Sequence, residues 1–201
     1  MMILAVGAHP DDIELGAGGT IARHVIEGDS VYFLVLTYGE KGGGTKEIRK
    51  SEALESAKIL NVKSVIFAEI PDTRVTDGPE TISKIEEVIK EIEPDRIYTH
   101  SPKDFHQDHR NAALATFSAS RRISEILSYE SPFTQPSFTP QMYVEITNTI
   151  NLKILALKKF HSQRNKTFLR IDAIKGLAKF RGYQVGVKYA EAFEIIRIVK
   201  R

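Results

Sequence analysis

Histidine and aspartate are concentrated in two short segments of this sequence, and together they offer the ligands of a metal site. The first segment directly follows the apolar run at 3–6, which is typical of a buried strand. Two imidazoles and a carboxylate, with one position left open for water, are the ligand set of a hydrolytic zinc centre. We therefore expect the two segments to meet in space. Their residues are His9, Asp11, Asp12, His106, Asp108 and His109.

Neighbouring side chains of an extended loop diverge, so Asp11 and Asp12 are expected to serve different purposes. If His9 and Asp12 bind the metal, Asp11 is free to lie over the open coordination position. Zinc lowers the pKa of bound water to about 7, so a carboxylate there can act as a base at neutral pH. Pro10-Asp11-Asp12 is also good turn chemistry. The preceding His9 and the second segment favour the metal site over a simple turn.

The second segment is suited to a helix start. His106 and His109 are three residues apart, so on the first turn of a helix they would share a face. Asp108 between them could orient an imidazole, as carboxylates beside metal ligands do. Of the remaining histidines, His100 ends a predicted strand and is a weaker candidate for lining the site, whereas His24 is predicted to be structural.

Length and composition exclude several classes of protein. The 201 residues, with 42% hydrophobic and 27% charged, are expected to form a single domain, 1–201. The absence of cysteine excludes disulfides, thiolate zinc sites and cysteine nucleophiles. No apolar run approaches the roughly 18 residues that span a bilayer, and no signal-peptide pattern is present, so a cytoplasmic location without membrane insertion is expected. A net charge of +2 is too small to indicate a nucleic-acid partner.

Apolar runs alternate with amphipathic segments along the chain. Strands are predicted at 3–7, 31–37, 64–68, 95–99, 142–146 and 194–199, and helices at 18–27, 46–60, 80–92, 112–126, 149–161 and 168–181. The segment 131–140 is rich in proline, serine and threonine and is predicted to be a loop. The alternation predicts an α/β fold, with a mainly parallel sheet covered by helices on both faces. Both polar segments follow strands, and the carboxyl ends of such strands meet at one edge.

Gly16, Gly18 and Gly19 invite a dinucleotide-binding interpretation. Their spacing is not that of the G-x-G-x-x-G motif, and the preceding carboxylates would repel a pyrophosphate. We therefore interpret these glycines as allowing the first helix to pack closely. No G-x-S-x-G motif is present, which makes a serine hydrolase a poor candidate.

The segment Ala8-His9-Pro10-Asp11-Asp12-Ile13-Glu14-Leu15-Gly16, together with the His106-Gln107-Asp108-His109 segment, resembles the LmbE-like, or PIG-L, family of zinc-dependent N-acetylsugar deacetylases. Further similarity covers most of the chain, in order, at Arg49 with Glu52, 129–130, 153–157, 161–163 and 186–193. The resemblance implies a Rossmann-like three-layer sandwich, the LmbE-like fold, in agreement with the alternation of strands and helices.

The resemblance also implies roles for individual residues. The implied ligands of one zinc ion per chain are His9, Asp12 and His109. Asp11 would be the general base, and His106, with Asp108 behind it, would stabilise the oxyanion or protonate the leaving amine. Arg49 and Tyr189 would contact the substrate.

The activity that the resemblance implies is hydrolysis of the N-acetyl group of an N-acetylglucosamine-type sugar or conjugate, a small-molecule substrate, by a homo-oligomer. Two alternatives stay open: a zinc hydrolase acting on another amide or a thiol–sugar conjugate, and a non-catalytic metal- or sugar-binding module. Asp11 argues against the second alternative, because pure binding needs no base.

Overall fold

Strands and helices alternate along the chain, as the sequence predicts. The computed structural model describes residues 1–200. Its strands are β1 (Met2–Gly7), β2 (Ser30–Thr37), β3 (Ser64–Ile70), β4 (Arg96–His100), β5 (Glu125–Tyr129), β6 (Met142–Glu145) and β7 (Ala190–Ile198). Its helices are α1 (Asp12–Ile26), α2 (Lys46–Ile59), α3 (Pro79–Ile92), α4 (Gln107–Ala119), α5 (Ile150–Leu157) and α6 (Ile171–Gln184). Within these residues no helix is long and apolar enough to cross a membrane.

The strands form one sheet in the order β3-β2-β1-β4-β5-β7-β6. The first five are parallel to one another, and β7 runs antiparallel to both β5 and β6. The predicted mainly parallel sheet is therefore confirmed. The chain adds β2 and β3 on one side of β1 and then crosses to add β4 on the other. Clefts for ligands form at such a switch point, beyond the carboxyl ends of the two strands.

β1 separates two cores, because its successive side chains point to opposite faces. Ile3 and Ala5 belong to a cluster that includes α1 and part of α5. Leu4 and Val6 belong to a second cluster that includes α3 and α4. All four side chains are fully buried. The sheet thus has helices on both faces, as predicted, and the strand that leads into the first histidine–aspartate segment is held rigidly from both sides.

Helix α1 begins earlier than the sequence predicts. It starts at Asp12 rather than at residue 18, and Asp11 caps it with a φ of 98°, in the left-handed region. The expected extended loop is thus wrong, although the two carboxylates still diverge. The glycines inside the helix allow close packing: a Cβ on Gly16 would lie 2.1 Å from the Tyr129 ring, and one on Gly19 would lie 2.8 Å from Ile146.

The second half of the chain departs furthest from the prediction. The helix expected at 112–126 is α4, which ends at Ala119, and residues 125–126 belong to β5. The helix expected at 149–161 ends at Leu157, and the one expected at 168–181 begins only at Ile171. β5 is a short apolar strand between β4 and β7, so it is defined by pairing with distant segments and not by its own pattern.

A buried ion pair fastens the C-terminal half of the chain to the middle of α1. Lys153 and Glu191 are 4% and 5% exposed, and their charged atoms are 2.6 Å apart. The Lys153 ammonium also donates to the Leu15 carbonyl at 2.7 Å. Glu191 accepts the backbone N–H groups of Gly19 and Thr20, at 3.0 and 2.7 Å. This pair therefore fixes the helix that follows the first polar segment.

Candidate active site

The two polar segments meet in one cavity at the carboxyl ends of β1 and β4. The cavity has a volume of about 280 Å³. The first segment leads from β1 into α1, and the second leads from β4 into α4. The switch in strand order thus brings together residues that are far apart in sequence. The members of the two segments that line the cavity are His9, Asp11, Asp12, His106 and His109.

Three of these side chains are close enough to share a metal ion. One ligand atom from each of His9, Asp12 and His109 lies within 4.8 Å of the others. The two imidazoles approach opposite carboxylate oxygens of Asp12, each at 3.3 Å. Two other groupings involve Asp104 or Asp108, which do not line the cavity, and a third, His24 with Glu27 and Asp29, lies away from it. The His9, Asp12 and His109 set is therefore the grouping whose three members all line the cavity.

Carboxylates on the far side of both imidazoles orient them. The Asp104 carboxylate lies 3.2 Å from His109 Nδ1, which leaves Nε2 directed toward Asp12. Asp72 and Asp108 each lie 3.2 Å from His9 Nε2, which leaves Nδ1 directed toward Asp12. Carboxylates placed in this way favour one ring orientation of a metal-binding histidine. Sequence reasoning missed Asp72 and Asp104, although an aspartate two residues before His106 was a usable signal.

Asp108 does not lie behind His106 as the family resemblance implied. Its carboxylate contacts His9 and also accepts the backbone N–H of Thr73, at 3.0 Å. Only its backbone reaches His106, by donating to Nδ1 at 3.2 Å. Asp108 is fully buried and does not line the cavity. In this geometry the Asp108 carboxylate contacts His9 and lies outside the cavity lining.

His106 is held as a neutral hydrogen-bond donor. It caps α4, and because its Nδ1 accepts the Asp108 N–H, its ring hydrogen belongs on Nε2. Burial, followed by the charges of His109 and His9, lowers the pKa of His106. A neutral ring with a free Nε2–H suits an oxyanion better than it suits proton transfer to an amine.

Asp11 lines the cavity and is held in place by Arg49. The carboxylate is 4% exposed, and burial raises its pKa from the ordinary 3.8 to about 6, against the opposing charge of Arg49. An Arg49 Nη2 donates to Asp11 at 3.2 Å and to the Pro10 carbonyl at 2.6 Å. The Nε and Nη1 atoms of Arg49 are buried without a hydrogen-bond partner. Arg49 thus fixes the Asp11 carboxylate at the cavity wall.

The candidate ligands and the carboxylates beside them shift one another's pKa values. Burial lowers the pKa of His109, but the carboxylates of Asp12 and Asp104 outweigh it and raise the value to about 9. Burial also lowers the pKa of His9, but the carboxylates of Asp108, Asp12 and Asp72 outweigh it. They raise the pKa of His9 well above its ordinary range. Burial raises the pKa of Asp12, but His109 and His100 outweigh it and hold that pKa well below its usual range. A metal ion entering this site must therefore displace protons from the imidazoles.

His100 packs behind His109 and Asp12 and does not line the cavity. The ring is fully buried and stacks on His109, with centroids 4.0 Å apart. His100 Nε2 lies 3.1 Å from the Asp12 carboxylate and 3.1 Å from the Ala8 nitrogen. The predicted structural role of His24 agrees with its contacts to Asp29 and Tyr98.

The structure does not bring Tyr189 to the cavity. Tyr189 packs against the small cluster of Ile146, Ile150 and Ala178, beside β6 and α6. It is absent from the residues that line the cavity, whereas Arg49 is among them. Within one chain Tyr189 therefore lies outside this cavity, and the substrate contact expected of it stays a prediction.

Glu14 makes stability depend on pH. It is 3% exposed, and burial raises its pKa from the ordinary 4.5 to about 7, against a hydrogen bond from Ser56. The folded chain then holds a proton that the unfolded chain releases, so stability falls as pH rises from 4.5 to 7. The loss in the free energy of unfolding amounts to about 3 kcal/mol.

We expect metal-free Glu14→Gln to unfold at a higher temperature than the parent at pH 8 but not at pH 4. An equal difference in unfolding temperature between variant and parent at both pH values would contradict this prediction.

Comparison of the sequence with known proteins finds a family match and two informative relatives. Residues 4–120 match the model of the PIG-L family, described as GlcNAc-PI de-N-acetylase. The chain is 38% identical over 167 residues to "Uncharacterized deacetylase YaiS" of Escherichia coli, covering 80% of this chain and 90% of that protein. It is 26% identical over 220 residues to the diacetylchitobiose deacetylase of Thermococcus kodakarensis, covering 96% of this chain and 82% of that protein.

A solved structure has the same fold over the whole chain. The conserved protein TT1542 of Thermus thermophilus superimposes with a TM-score of 0.92 at 30% identity. The match covers 100% of this chain and 97% of that one. The expected LmbE-like fold is therefore confirmed.

Proposed function

This chain belongs to the PIG-L family of de-N-acetylases, and we propose that it is a zinc-dependent hydrolase that removes the N-acetyl group from an N-acetylglucosamine-type sugar or conjugate. One observation carries this proposal. A set of metal-binding donors and a carboxylate outside that set, Asp11, line the same small cavity. A module that only bound metal or sugar would have no use for Asp11 held there by Arg49. The deacetylase named for the Thermococcus relative supports the same substrate class.

The donor set fits zinc, which favours imidazole and carboxylate ligands and keeps one position open in catalytic sites. When bound, zinc would lower the pKa of water and polarise the amide carbonyl as a Lewis acid. His9, Asp12 and His109 would hold it, with Asp72, Asp104 and Asp108 fixing the two imidazoles. The chemistry of these donors also suits other divalent ions, so the identity of the metal is part of the test.

Asp11 would act as the base and then as the acid. With a pKa of about 6 it is largely ionised at neutral pH and can take a proton from the attacking water. The Nε2–H of His106 would donate to the oxygen that becomes negative as water adds to the carbonyl carbon. As the carbon–nitrogen bond breaks, Asp11 would return its proton to the nitrogen, giving acetate and a free amine. Arg49 would keep the Asp11 carboxylate in place through both transfers.

The direct test is metal analysis of the purified protein, paired with acetate release from N-acetylglucosamine and its short oligomers. We expect one zinc ion per chain and acetate release that stops on chelation and returns when zinc is added. A chain that holds no metal and gains none on adding zinc would contradict the proposal. Bound zinc without acetate release would favour another amide or a thiol–sugar conjugate as the substrate.

A further inference from the structure

A second cavity lies next to the candidate active site. It has a volume of about 260 Å³, close to that of the first. Leu15, Pro132 and Phe168 line both cavities, so their side chains form the boundary between the two. Leu15 is one helical turn beyond Asp11 and Asp12 on α1. The second cavity thus begins where the candidate catalytic residues end.

The lining of the second cavity suits a neutral, apolar occupant. Most of its wall consists of small or apolar side chains: Leu15, Gly16, Ala173, Ile174, Leu177, Ala178, Ala190 and Ala192. Its four charged groups form two closed pairs: Lys153 with Glu191 at 2.6 Å, and Arg181 with Glu130 at 2.6 and 2.8 Å. No unpaired charge remains to attract an ionic group. For comparison, a dry cavity of about 150 Å³ with apolar walls is enough to hold benzene.

The first cavity indicates which part of a substrate would face the second. One part of its wall is polar, where Lys41, Arg49, Asp72 and Gln163 lie. The Lys41 backbone donates to Asp72, and Gln163 donates to the same glycine-rich loop, at Gly43. Sugar hydroxyls need polar partners of this kind.

The other part of that wall is apolar and adjoins the second cavity. It includes Leu15, Pro132, Phe133 and Phe168, and the rings of Phe133 and Phe168 are 6.0 Å apart. In an N-acyl amino sugar the acyl chain leaves the amide carbon on the side away from the sugar ring. If the ring lies on the polar wall, the acyl chain is directed toward Leu15 and Phe168.

We propose that the second cavity is a binding site for the acyl chain, so that this protein hydrolyses N-acyl amino sugars with short apolar acyl chains as well as the N-acetyl form. The inference rests on the proposed function. The reaction is the same hydrolysis: the amide C–N bond breaks, water supplies oxygen to the carboxylic acid, and the nitrogen receives a proton. No oxidant, reductant or additional reactant is needed. A closed site for acetyl alone would reject each added methylene by overpacking.

The test compares N-acetyl-, N-butanoyl- and N-hexanoylglucosamine, with release of glucosamine as the common readout. We expect kcat/KM for the hexanoyl compound to stay within about tenfold of that for the acetyl compound, because the added methylenes are buried in the apolar cavity. In the Asp11→Asn variant, calorimetric titration is expected to show about tenfold or tighter binding of the hexanoyl compound relative to the acetyl compound.

Two variants narrow the cavity at independent points. Ala173→Leu adds bulk at an exposed position of α6, and Ala178→Leu adds it on the buried wall. Each should lower the hexanoyl-to-acetyl ratio of kcat/KM by about tenfold or more. Lys179→Leu is the matched control, since it places the same side chain on α6 outside both cavities. Ala173→Leu keeps the test decisive if Ala178→Leu fails to fold.

The outcomes separate the two proposals. Acetate release without hexanoyl hydrolysis, or a ratio that Ala173→Leu leaves unchanged, overturns the acyl site and leaves the deacetylase standing. Tighter binding of the hexanoyl compound without hydrolysis of either compound supports the acyl site and contradicts the proposed function.

Discussion

Replacing Asp11 with asparagine should lower kcat for acetate release by between about 10² and 10⁴-fold, the range typical of losing a general base. The bound metal should remain, because Asp11 is outside the His9, Asp12 and His109 set. Asparagine keeps the shape of the side chain and can still accept from Arg49, so the cavity should keep its form. Acetate release and elemental analysis on the same preparation measure both quantities.

The residue next along the chain provides the matched comparison. Asp12→Asn makes the same chemical change one position on, but here the carboxylate faces both candidate imidazole ligands. We expect this variant to lose metal first, with activity partly restored at high zinc concentration. If Asp11→Asn kept near-parental turnover, or if both variants lost metal equally, the division of roles between the two carboxylates would be wrong.

Replacing Lys153 with methionine should lower the free energy of unfolding by about 3–5 kcal/mol. Methionine keeps much of the side-chain volume but leaves the Glu191 carboxylate buried without its cation. It also removes the donor to the Leu15 carbonyl. Chemical denaturation at neutral pH measures the change, and metal-free protein separates it from effects of metal binding.

The double variant Lys153→Met with Glu191→Gln tests the cause. A neutral side chain at 191 removes the unpaired charge and can still accept an N–H from Gly19 or Thr20. We expect it to recover most of the lost stability, since replacing both partners of a buried pair costs far less than breaking it. A single Lys153→Met variant within about 1 kcal/mol of the parent would show that the pair contributes little.

The parallel part of the fold could be predicted because its signals are local. The strand at 31–37 and the helix at 80–92 have their own apolar periodicity and differ from the structure by one residue at the start. β5 could not be predicted in this way: Ile126 and Leu127 continue an apolar pattern without a glycine or proline to end the preceding helix. Its strand conformation depends on hydrogen bonds to β4 and β7, which are contacts between segments distant in sequence.

The candidate site shows the same division. The meeting of the two segments that contain His9, Asp12 and His109 could be predicted from residue types and spacing that are unusual for a core, whereas the choice of these three as ligands came from the family resemblance and stays a prediction. Asp72 contacts His9 only through the tertiary structure, and an isolated aspartate in a loop gives no comparable signal, whereas Asp104 stands two residues before His106 in the sequence. For Tyr189 the family resemblance implied a contact with substrate, but in the structure its side chain lies outside the cavity. Sequence similarity alone therefore did not predict the position of this side chain.

The hydrogen bonds that Lys153 and Glu191 make to α1 join the second half of the chain to the first. Residues 4–120, the part that matches the family model, include every proposed metal ligand and the proposed base. Yet the helix that begins at Asp12 is fastened by a strand that begins seventy residues past the end of that segment, at Ala190. A fragment that ended at residue 120 would therefore contain the proposed metal ligands and base but would lack the contacts of Lys153 and Glu191 that hold α1. We propose that 1–201 unfolds as a single cooperative unit. A substitution near residue 191 would then disturb the proposed metal site through α1 as much as a substitution near residue 20.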